Sequence, residues 1–200
     1  GFKAFPYVIF FSCTTMYKSS KRPIKENNFN PLKDIEPKYF GVATTKVYNE
    51  NMCDFYSRIG KTKFTAIRHS NIYGPYDKYD LERSHVFGAT VTKVMTAKKE
   101  IVVWGRGTEK RDLLHVDDLV SFIKLSIKKQ KNKFELLNCG AGYSISINNL
   151  VISCFNNSLN SRCFQTKHCA SYFTLQVAVA TLSVRKDISP KKGLQVRFLL

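Results

Sequence analysis

The chain has 200 residues, of which 44% are hydrophobic, so it holds enough apolar side chains for one compact core, or one and a fraction. The formal charge of +17 favours an anionic partner, either a phosphate-rich small ligand or a nucleic acid. No apolar run has the length of a membrane-spanning helix, so a membrane partner is not expected. The basic residues are dispersed and no aromatic RNA-binding motif accompanies them, which makes a nucleic-acid-binding domain the weaker interpretation.

The first part of the chain predicts a strand, a loop and a helix. Tyr7–Ser12 is an apolar strand, and residues 18–37 form a polar loop interrupted by prolines. A long helix follows over residues 39–59, with a partly apolar face that includes Val42 and Phe55.

The later elements are strand 64–67, turn 71–75, helix 85–98, strand 101–104, helix 116–129, strand 134–138 and helix 147–155. This alternation predicts an α/β fold with a parallel sheet and crossover helices. The periodicity fades after about residue 153.

The six cysteines lack the paired short spacing of a zinc site, and no metal site is predicted. Most of them lie in apolar segments, which favours reduced thiols over a disulfide framework and therefore a cytoplasmic protein. They are Cys13, Cys53, Cys139, Cys154, Cys163 and Cys169.

A strand, a glycine hairpin and a cationic side chain follow one another in IVVWGRGTEKRDLLHVDD, residues 101–118. Gly105 and Gly107 permit a tight turn with positive φ, and Arg111 emerges just beyond it. The planar guanidinium of Arg111 suits a diphosphate, because it donates parallel hydrogen bonds to phosphate oxygens. An ion pair with one of the nearby aspartates on a solvated turn is the alternative.

Several blocks of the sequence occur in the order in which one enzyme family has them. They are VIFFSCTTMY (8–17), GVATTKVYNENMCDFYS (41–57), RHSNIYGPYD (68–77), SHV (84–86) with IVVWGRGTEKRDLLHVDDL (101–119), and LNCGAGYSISINNL (137–150). In these blocks the chain resembles the extended short-chain dehydrogenase/reductase superfamily, the NAD-dependent epimerase/dehydratase family, and is most similar to the GDP-fucose synthase type. The resemblance implies oxidoreductase and isomerase chemistry on a nucleotide-sugar.

The resemblance implies the C-terminal part of a Rossmann-type parallel sheet in residues 1–75. Residues 76–200 would form mainly a small α/β substrate-binding portion, in which the resemblance fades after about residue 150. It also implies NADP or NAD as cofactor, with Ser12 and Lys46 among the contacts. The Gly-x-Gly pairs lack the third glycine and the following helix of a dinucleotide-binding turn. Because the chain begins with Gly1, we expect a preceding segment to supply that turn.

The family's catalytic pair is a Tyr followed one helical turn later by a Lys, and Lys46 matches the Lys. The residue four positions earlier is Val42, which has no proton to transfer. Tyr39 lies seven residues before Lys46, near the same helical face, and would replace the missing phenol if the helix extends that far. A packing residue at the start of the helix is the alternative for Tyr39.

Other positions in the resemblance concern proton transfer. Cys13 stands where the family has a Ser or Thr that hydrogen-bonds the reacting oxygen, and a thiol is a poorer donor. Thr15 stands where the GDP-fucose synthase type has a Cys that pairs with a His in epimerisation, although a small shift would bring Cys13 into that role. His85 matches the His, and a helix cap or surface residue is its alternative.

Residues that match the family's substrate contacts are Asn71 at the phosphate region, Trp104 in the pocket lining, Arg111 at the diphosphate and Lys93 in place of a GDP-contacting Arg. The alternatives are a turn former for Asn71 and core packing for Trp104. Lys167 matches a late Lys of the family.

The sequence supports three interpretations. The first is part of a GDP-fucose synthase-like epimerase/reductase that keeps contacts to a GDP-linked sugar but has altered catalytic positions. The second is a non-catalytic nucleotide-sugar-binding relative, which Val42 and Cys13 favour. The third is a basic nucleic-acid-binding domain, which only the charge favours. By the resemblance, the helix over residues 39–59 is where a homodimer would form.

Overall fold

The computed structural model describes residues 5–20, 22–160, 183–189 and 193–199. In chain order the strands are β1 (Tyr7–Cys13), β2 (Lys63–His69), β3 (Asn71–Tyr73), β4 (Glu100–Trp104), β5 (Lys110–Arg111), β6 (Leu113–His115), β7 (Phe134–Cys139), β8 (Ile145–Ser146), β9 (Ser183–Ser189) and β10 (Gly193–Leu199). The helices are α1 (Phe40–Ile59), α2 (Val86–Thr96), α3 (Val116–Lys129) and α4 (Ile147–Asn160). The predicted helices are confirmed, and α4 continues past its predicted end.

The described residues form two units, and the chain passes between them more than once. The first unit contains the residues up to Ser70 and Asp117–Ala141, and the second contains Asn71–Val116 and the residues from Gly142 onward. The sequence suggested a single boundary between two parts of the chain, near residue 75. Residues 117–141 belong with the first unit because β7 pairs with β2 there.

The first unit is built on a three-stranded parallel sheet with the order β1-β2-β7. Helix α1 connects β1 to β2, and α3 leads into β7, because parallel neighbours require crossover connections. In the first pair, Tyr7 aligns with Lys63 and Cys13 aligns with His69. The predicted parallel α/β arrangement is confirmed for this unit.

Helix α1 buries only part of the face that its apolar residues suggested. Val42 and Phe55, assigned to that face, are 55% and 52% exposed. The buried positions Ala43, Glu50 and Ser57 recur every seven residues and therefore share one side of the helix. Cys53 of the predicted face is buried as well, but the centre of the buried face is a carboxylate, where a charge is tolerated only if it is paired.

The partner of Glu50 is Arg68 of β2. Arg68 Nε and Nη2 donate to the two carboxylate oxygens at 2.9 and 2.6 Å, and each side chain is only 5% exposed. The Ser12 hydroxyl of β1 donates to Glu50 Oε1 at 2.5 Å. Arg68 Nη1 donates to the Tyr17 hydroxyl at 2.8 Å, which in turn donates to Asn138 Oδ1 of β7 at 2.8 Å. This buried network therefore joins α1 to every strand of the sheet.

The second unit pairs its strands differently. Its sheets are the antiparallel β4-β10-β9, the parallel pair β3 and β6, and the antiparallel pair β5 and β8. Parallel pairing was expected for β4 as well, but β4 pairs antiparallel with β10, a strand from the part of the sequence without clear periodicity. The predicted turn at residues 71–75 begins as strand β3.

The core of the second unit lies where α2 and α4 pack together beside β4. The Tyr73 and Phe87 rings meet in it, with centroids 4.3 Å apart. Its buried members are Tyr73, Phe87, Val94, Ile101, Val103, Leu113, Ile145, Ile147, Leu150, Val151 and Cys154. Each large apolar side chain that is removed from water in this way contributes about 1.5–3 kcal/mol.

Within the described ranges, no helix is long and apolar enough to cross a membrane, and no cluster of His, Cys, Asp or Glu side chains suits a metal ion. The cysteines there are free thiols, namely Cys13, Cys53, Cys139 and Cys154. The predictions that concern Cys163, Lys167 and Cys169 lie outside the described residues.

We expect Glu50→Gln to lower the free energy of unfolding by about 3 kcal/mol or more, because it leaves the buried Arg68 charge without its carboxylate. Urea denaturation followed by circular dichroism measures this loss. Asp54→Asn is the matched control, because it removes a carboxylate of the same helix from its ion pair with the exposed Arg58. Surface pairs of that kind contribute about 0.5 kcal/mol. Equal losses in both variants would contradict a structural role for the buried pair.

Candidate functional site

Strand β1 ends at Cys13, and Thr14–Met16 form a short 3₁₀ turn beyond it. The turn is attached to the sheet, because the Thr14 hydroxyl donates to the His69 carbonyl at 3.2 Å. The Cys13 sulfur lies 2.8 Å from the Thr15 hydroxyl oxygen. Two residues predicted for proton transfer are thus in contact, with Cys13 half-buried and Thr15 exposed.

Lys46 reaches the same end of β1 from α1. Its Nζ donates to the Phe11 carbonyl at 2.6 Å and lies 5.0 Å from the centre of the Phe10 ring. Ligands of open parallel sheets bind beyond the carboxyl ends of the strands, and this ammonium group lies at that edge. Lys46, Cys13 and Thr15 are called the strand-end group below.

The residue one turn before Lys46 carries no phenol. Val42 occupies that position and is 55% exposed. Helix α1 begins at Phe40, and Tyr39 is its N-cap residue, with φ −112° and ψ 15°. The condition under which Tyr39 would share a helical face with Lys46 is therefore not met. The Tyr39 ring instead lies 5.0 Å from Lys38 Nζ.

Ser12 was predicted to contact a cofactor, but the structure gives its hydroxyl another role. The residue is fully buried, and its hydroxyl donates to Glu50. A buried hydroxyl that is committed to a carboxylate is not presented to a ligand. Ser12 therefore belongs to the structural network and not to the strand-end group.

Sequence reasoning missed the network of Glu50, Arg68, Tyr17 and Asn138. One signal was present, because Arg68 ends the apolar stretch FTAI in strand β2, and a cation in a buried strand requires a partner. The partner itself lies 18 residues earlier on a different element. Local sequence patterns do not reveal such a pairing.

Burial sets the protonation of two side chains. It raises the pKa of the Tyr17 hydroxyl, against the hydrogen bond and charge of Arg68. Tyr17 therefore remains a donor to Asn138 at neutral pH. Burial also raises the pKa of the Cys154 thiol to about 12, which makes this core thiol a poor nucleophile.

The second unit contains a pocket of about 290 Å³ between α2, β4, β5 and α4. Lys93, Trp104 and Arg111, three of the predicted substrate contacts, all line it. Glu109 lines it too, so the pocket carries two cations and one carboxylate. We call it the cationic pocket.

Lys93 and Trp104 are held against each other in the cationic pocket. Lys93 Nζ donates to the Val102 carbonyl at 3.0 Å and lies 5.7 Å from the centre of the Trp104 ring. Trp104 is 66% exposed, so the core-packing alternative for this residue is wrong. An exposed indole beside a fixed ammonium group offers a flat surface and a positive charge to a ligand.

The glycine turn was predicted correctly in conformation but not in pairing. Gly105 and Gly107 have φ of 78° and 71°, as expected. At Gly107 an added Cβ would lie 1.7 Å from Asn148 Oδ1, so the Asn148 side chain would have to move, and the positive φ favours glycine there as well. The segment is not a hairpin, because β4 pairs with β10 and β5 pairs with β8.

Arg111 and Asn71 come from separate strands and meet the same short segment. Arg111 is exposed on β5, and its Nη1 donates to the Lys110 carbonyl at 2.9 Å. Asn71 donates from its backbone N–H and from Nδ2 to the Asp112 carbonyl, at 3.3 and 3.2 Å. The segment that follows Arg111 is therefore held by Asn71.

His85 is the N-cap residue of α2, but its side chain makes no capping hydrogen bond. Its position at the start of the helix and its exposure agree with the alternative interpretation of His85 as a helix cap or surface residue. The residue is exposed, and the next residue, Val86, lines the cationic pocket.

The comparison with known protein families identifies the chain. Residues 2–140 match the NAD dependent epimerase/dehydratase family. The chain belongs to this family, as its sequence blocks suggested.

Curated relatives agree with this assignment. A probable GDP-L-fucose synthase 1 of Oryza sativa subsp. japonica is 31% identical over 150 residues, which cover 72% of this chain and 44% of the relative. A GDP-L-colitose synthase of Yersinia pseudotuberculosis is 29% identical over 119 residues, or 57% of this chain and 39% of the relative. The chain therefore spans less than half the length of these relatives.

A solved structure supports the fold. A GDP-D-glycero-L-gluco-heptose synthase from Campylobacter jejuni, crystallised in the presence of NADPH, aligns with a TM-score of 0.63 and 22% identity. The alignment covers 76% of this chain and 56% of that protein. The predicted α/β class, with part of a Rossmann-type parallel sheet, is confirmed.

Proposed function

We propose that this chain carries the substrate-binding part, and part of the catalytic edge, of an enzyme that epimerises or reduces a GDP-linked sugar. The observation that carries the proposal is the cationic pocket, which gathers Lys93, Trp104 and Arg111 from three different elements. Their assembly in one cavity is what a diphosphate bound next to a flat base or sugar ring requires. The names of the GDP-L-fucose synthase and GDP-L-colitose synthase relatives support the choice of a GDP-linked substrate.

The chemistry of the cationic pocket suits a diphosphate. Arg111 presents a fork of N–H donors, and Lys93 adds a point charge. Glu109 opposes them, and an added Cβ at Gly105 would lie 3.0 Å from its Oε1, so this carboxylate lies over the glycine turn. Glu109 offsets only one of the two positive charges, so the pocket remains attractive to a diphosphate. Asn71 acts indirectly, by holding the segment next to Arg111.

We propose a nicotinamide cofactor, NADP or NAD, which would supply hydride transfer when bound. Lys46 fits such a group, because its ammonium lies at the carboxyl edge of the parallel sheet. Ser12 does not fit, because its hydroxyl is buried against Glu50. The role of Lys46 would be to hold the cofactor.

Proton transfer is the altered part of the site. Val42 carries no ionisable group, and Cys13 replaces a hydroxyl donor with a thiol. The strand-end group keeps a Lys, a Thr and a Cys, of which Thr15 or Cys13 would serve epimerisation. A non-catalytic nucleotide-sugar-binding relative is the second candidate, and the exposed aliphatic side chain of Val42 favours it.

We propose a homodimer that forms through α1. Tyr48, Phe55 and Ile59 are 61%, 52% and 67% exposed, and their spacing places them on one side of the helix. Apolar side chains at such spacing are typical of a helix that packs against another helix.

Arg111→Ala should weaken the binding of GDP at least about tenfold, because it removes a charge-assisted pair of hydrogen bonds. Isothermal titration calorimetry at constant ionic strength measures the change. Lys110→Ala is the control, since it removes an equal charge from the neighbouring exposed residue. If both variants bind equally weakly, general attraction and not the pocket explains the affinity, as the nucleic-acid-binding interpretation requires.

Val42→Tyr should raise turnover of a GDP-4-keto-sugar about 100-fold or more when the chain follows a complete dinucleotide-binding half of a GDP-L-fucose synthase, because it restores a general acid. NADPH oxidation followed by absorbance measures the rate. Val42→Phe has the same size without the hydroxyl and should give no gain, and Lys46→Met should remove the gained activity. Equal rates for the Tyr and Phe variants would favour the non-catalytic candidate.

Phe55→Lys should shift the chain from dimer toward monomer in sedimentation velocity, because it places a charge in the proposed helix contact. Leu125→Lys on α3 is the matched control, because Leu125 is 53% exposed and Phe55 is 52% exposed. A monomeric chain at all concentrations, or equal shifts in both variants, would refute a dimer through α1.

A further inference from the structure

The first unit contains a second concave site that the proposed function does not use. A pocket of about 540 Å³ lies in the loop between β1 and α1, lined by residues 17–20, 22–25, 28–29 and 34. This volume lies within the range of small-molecule sites, about 300–1,000 Å³. We call it the loop pocket.

The loop pocket is supported by the buried network beneath it. Asn138 of β7 holds one wall through Tyr17, whose hydroxyl donates to Asn138 Oδ1 at 2.8 Å. It holds the other wall through Nδ2, which donates to the Ile24 carbonyl at 2.9 Å, and through its backbone N–H, which donates to Glu26 Oε1 at 2.5 Å. The Arg68 guanidinium lies 4.9 Å from the centre of the Phe29 ring. A surface loop that is held by several partly buried hydrogen bonds and a cation–π contact has a defined shape.

Contacts within the loop close the two walls on each other. Tyr17 and Ile35 form an isolated antiparallel bridge. Lys18 Nζ donates to the Lys33 carbonyl at 2.9 Å. The backbone N–H of Arg22 donates to the Ser20 hydroxyl at 3.1 Å, which sets the position of Arg22 in the lining.

The charge of the loop pocket is strongly positive. Lys18, Arg22 and Lys25 line it, against the single carboxylate of Asp34. Asp34 Oδ2 accepts a hydrogen bond from the Asn30 backbone N–H at 2.7 Å. Among the described residues, no carboxylate pairs with Arg22 or Lys25. Arg22 and Lys25 therefore line the cavity without a paired carboxylate, and the lining keeps an excess of positive charge.

We propose that the loop pocket binds the oligophosphate group of a small ligand, separately from the cationic pocket of the second unit. The Arg22 guanidinium suits bidentate contact with phosphate oxygens, while Lys25 and Lys18 add positive charge. The hydroxyl of Ser19 is a further donor of the kind that phosphate oxygens accept. The inference stands on the first unit alone and does not depend on the proposed function.

Calorimetric titration of the full chain with inorganic tripolyphosphate tests the proposal. Every protein carries Arg111→Ala, so that the cationic pocket contributes little. The parent should bind at one site per chain. Combining Arg22→Glu with Lys25→Glu should weaken binding at least about tenfold, because two charge-assisted contacts become repulsive. The control combines Lys128→Glu with Lys129→Glu, which alters the net charge by the same amount on exposed residues of α3. It should change the affinity for tripolyphosphate less than about twofold.

Guanosine triphosphate in place of tripolyphosphate distinguishes the sources of the phosphate group. Tighter binding of the nucleotide, lost in the Arg22 and Lys25 variant, would identify a nucleotide site. Equal binding of both ligands would identify a site for phosphate alone. Absence of heat with the parent, or equal weakening by the α3 variant, would overturn the proposal. Preferential binding of a single-stranded oligonucleotide that both variants weaken equally would overturn it in favour of nucleic acid.

Discussion

The first unit depends on the buried ion pair between Glu50 and Arg68. Both charges are removed from water, so each is tolerated only because the other neutralises it and because Ser12 and Tyr17 complete their hydrogen bonds. The pair fixes the rotation of α1 against the sheet. With Glu50 turned inward, Lys46, one helical turn earlier, reaches the carboxyl end of β1. The same rotation leaves Val42 and Phe55 exposed, so the proposed catalytic edge and the proposed dimer face share one structural cause.

The network also extends beyond the sheet. Through Tyr17 and Asn138 it supports the loop that follows β1, and with it the loop pocket. A charged core contact of this kind is costly for stability compared with apolar packing, but it orients several elements at once. The position of the strand-end group and the shape of the loop pocket therefore have a common support.

The proposed binding site and the proposed proton-transfer site have separate structural origins in this chain. The cationic pocket is organised within the second unit, by the close approach of the glycine turn to α4 and by the pairing of β5 with β8. The strand-end group is organised within the first unit by α1 and β1. A change such as valine at position 42 removes a proton donor without disturbing any contact of the cationic pocket. A chain can therefore retain the ligand-binding part of such an enzyme while its acid–base chemistry is altered.

The sequence by itself determined the helices, the parallel strands of the first unit, the positive φ of Gly105 and Gly107 and the family, because these follow from local periodicity, glycine and motif order. It also singled out Lys93, Trp104 and Arg111, although not that they share a pocket. The tertiary structure decided the buried face of α1, the burial of Ser12 and the antiparallel pairing of β4 with β10. Each of these depends on a partner distant in the chain: Arg68 for Glu50, Glu50 for Ser12 and the tail strand for β4. Local patterns record which side chains are apolar, but only the folded chain determines which charges meet and neutralise each other.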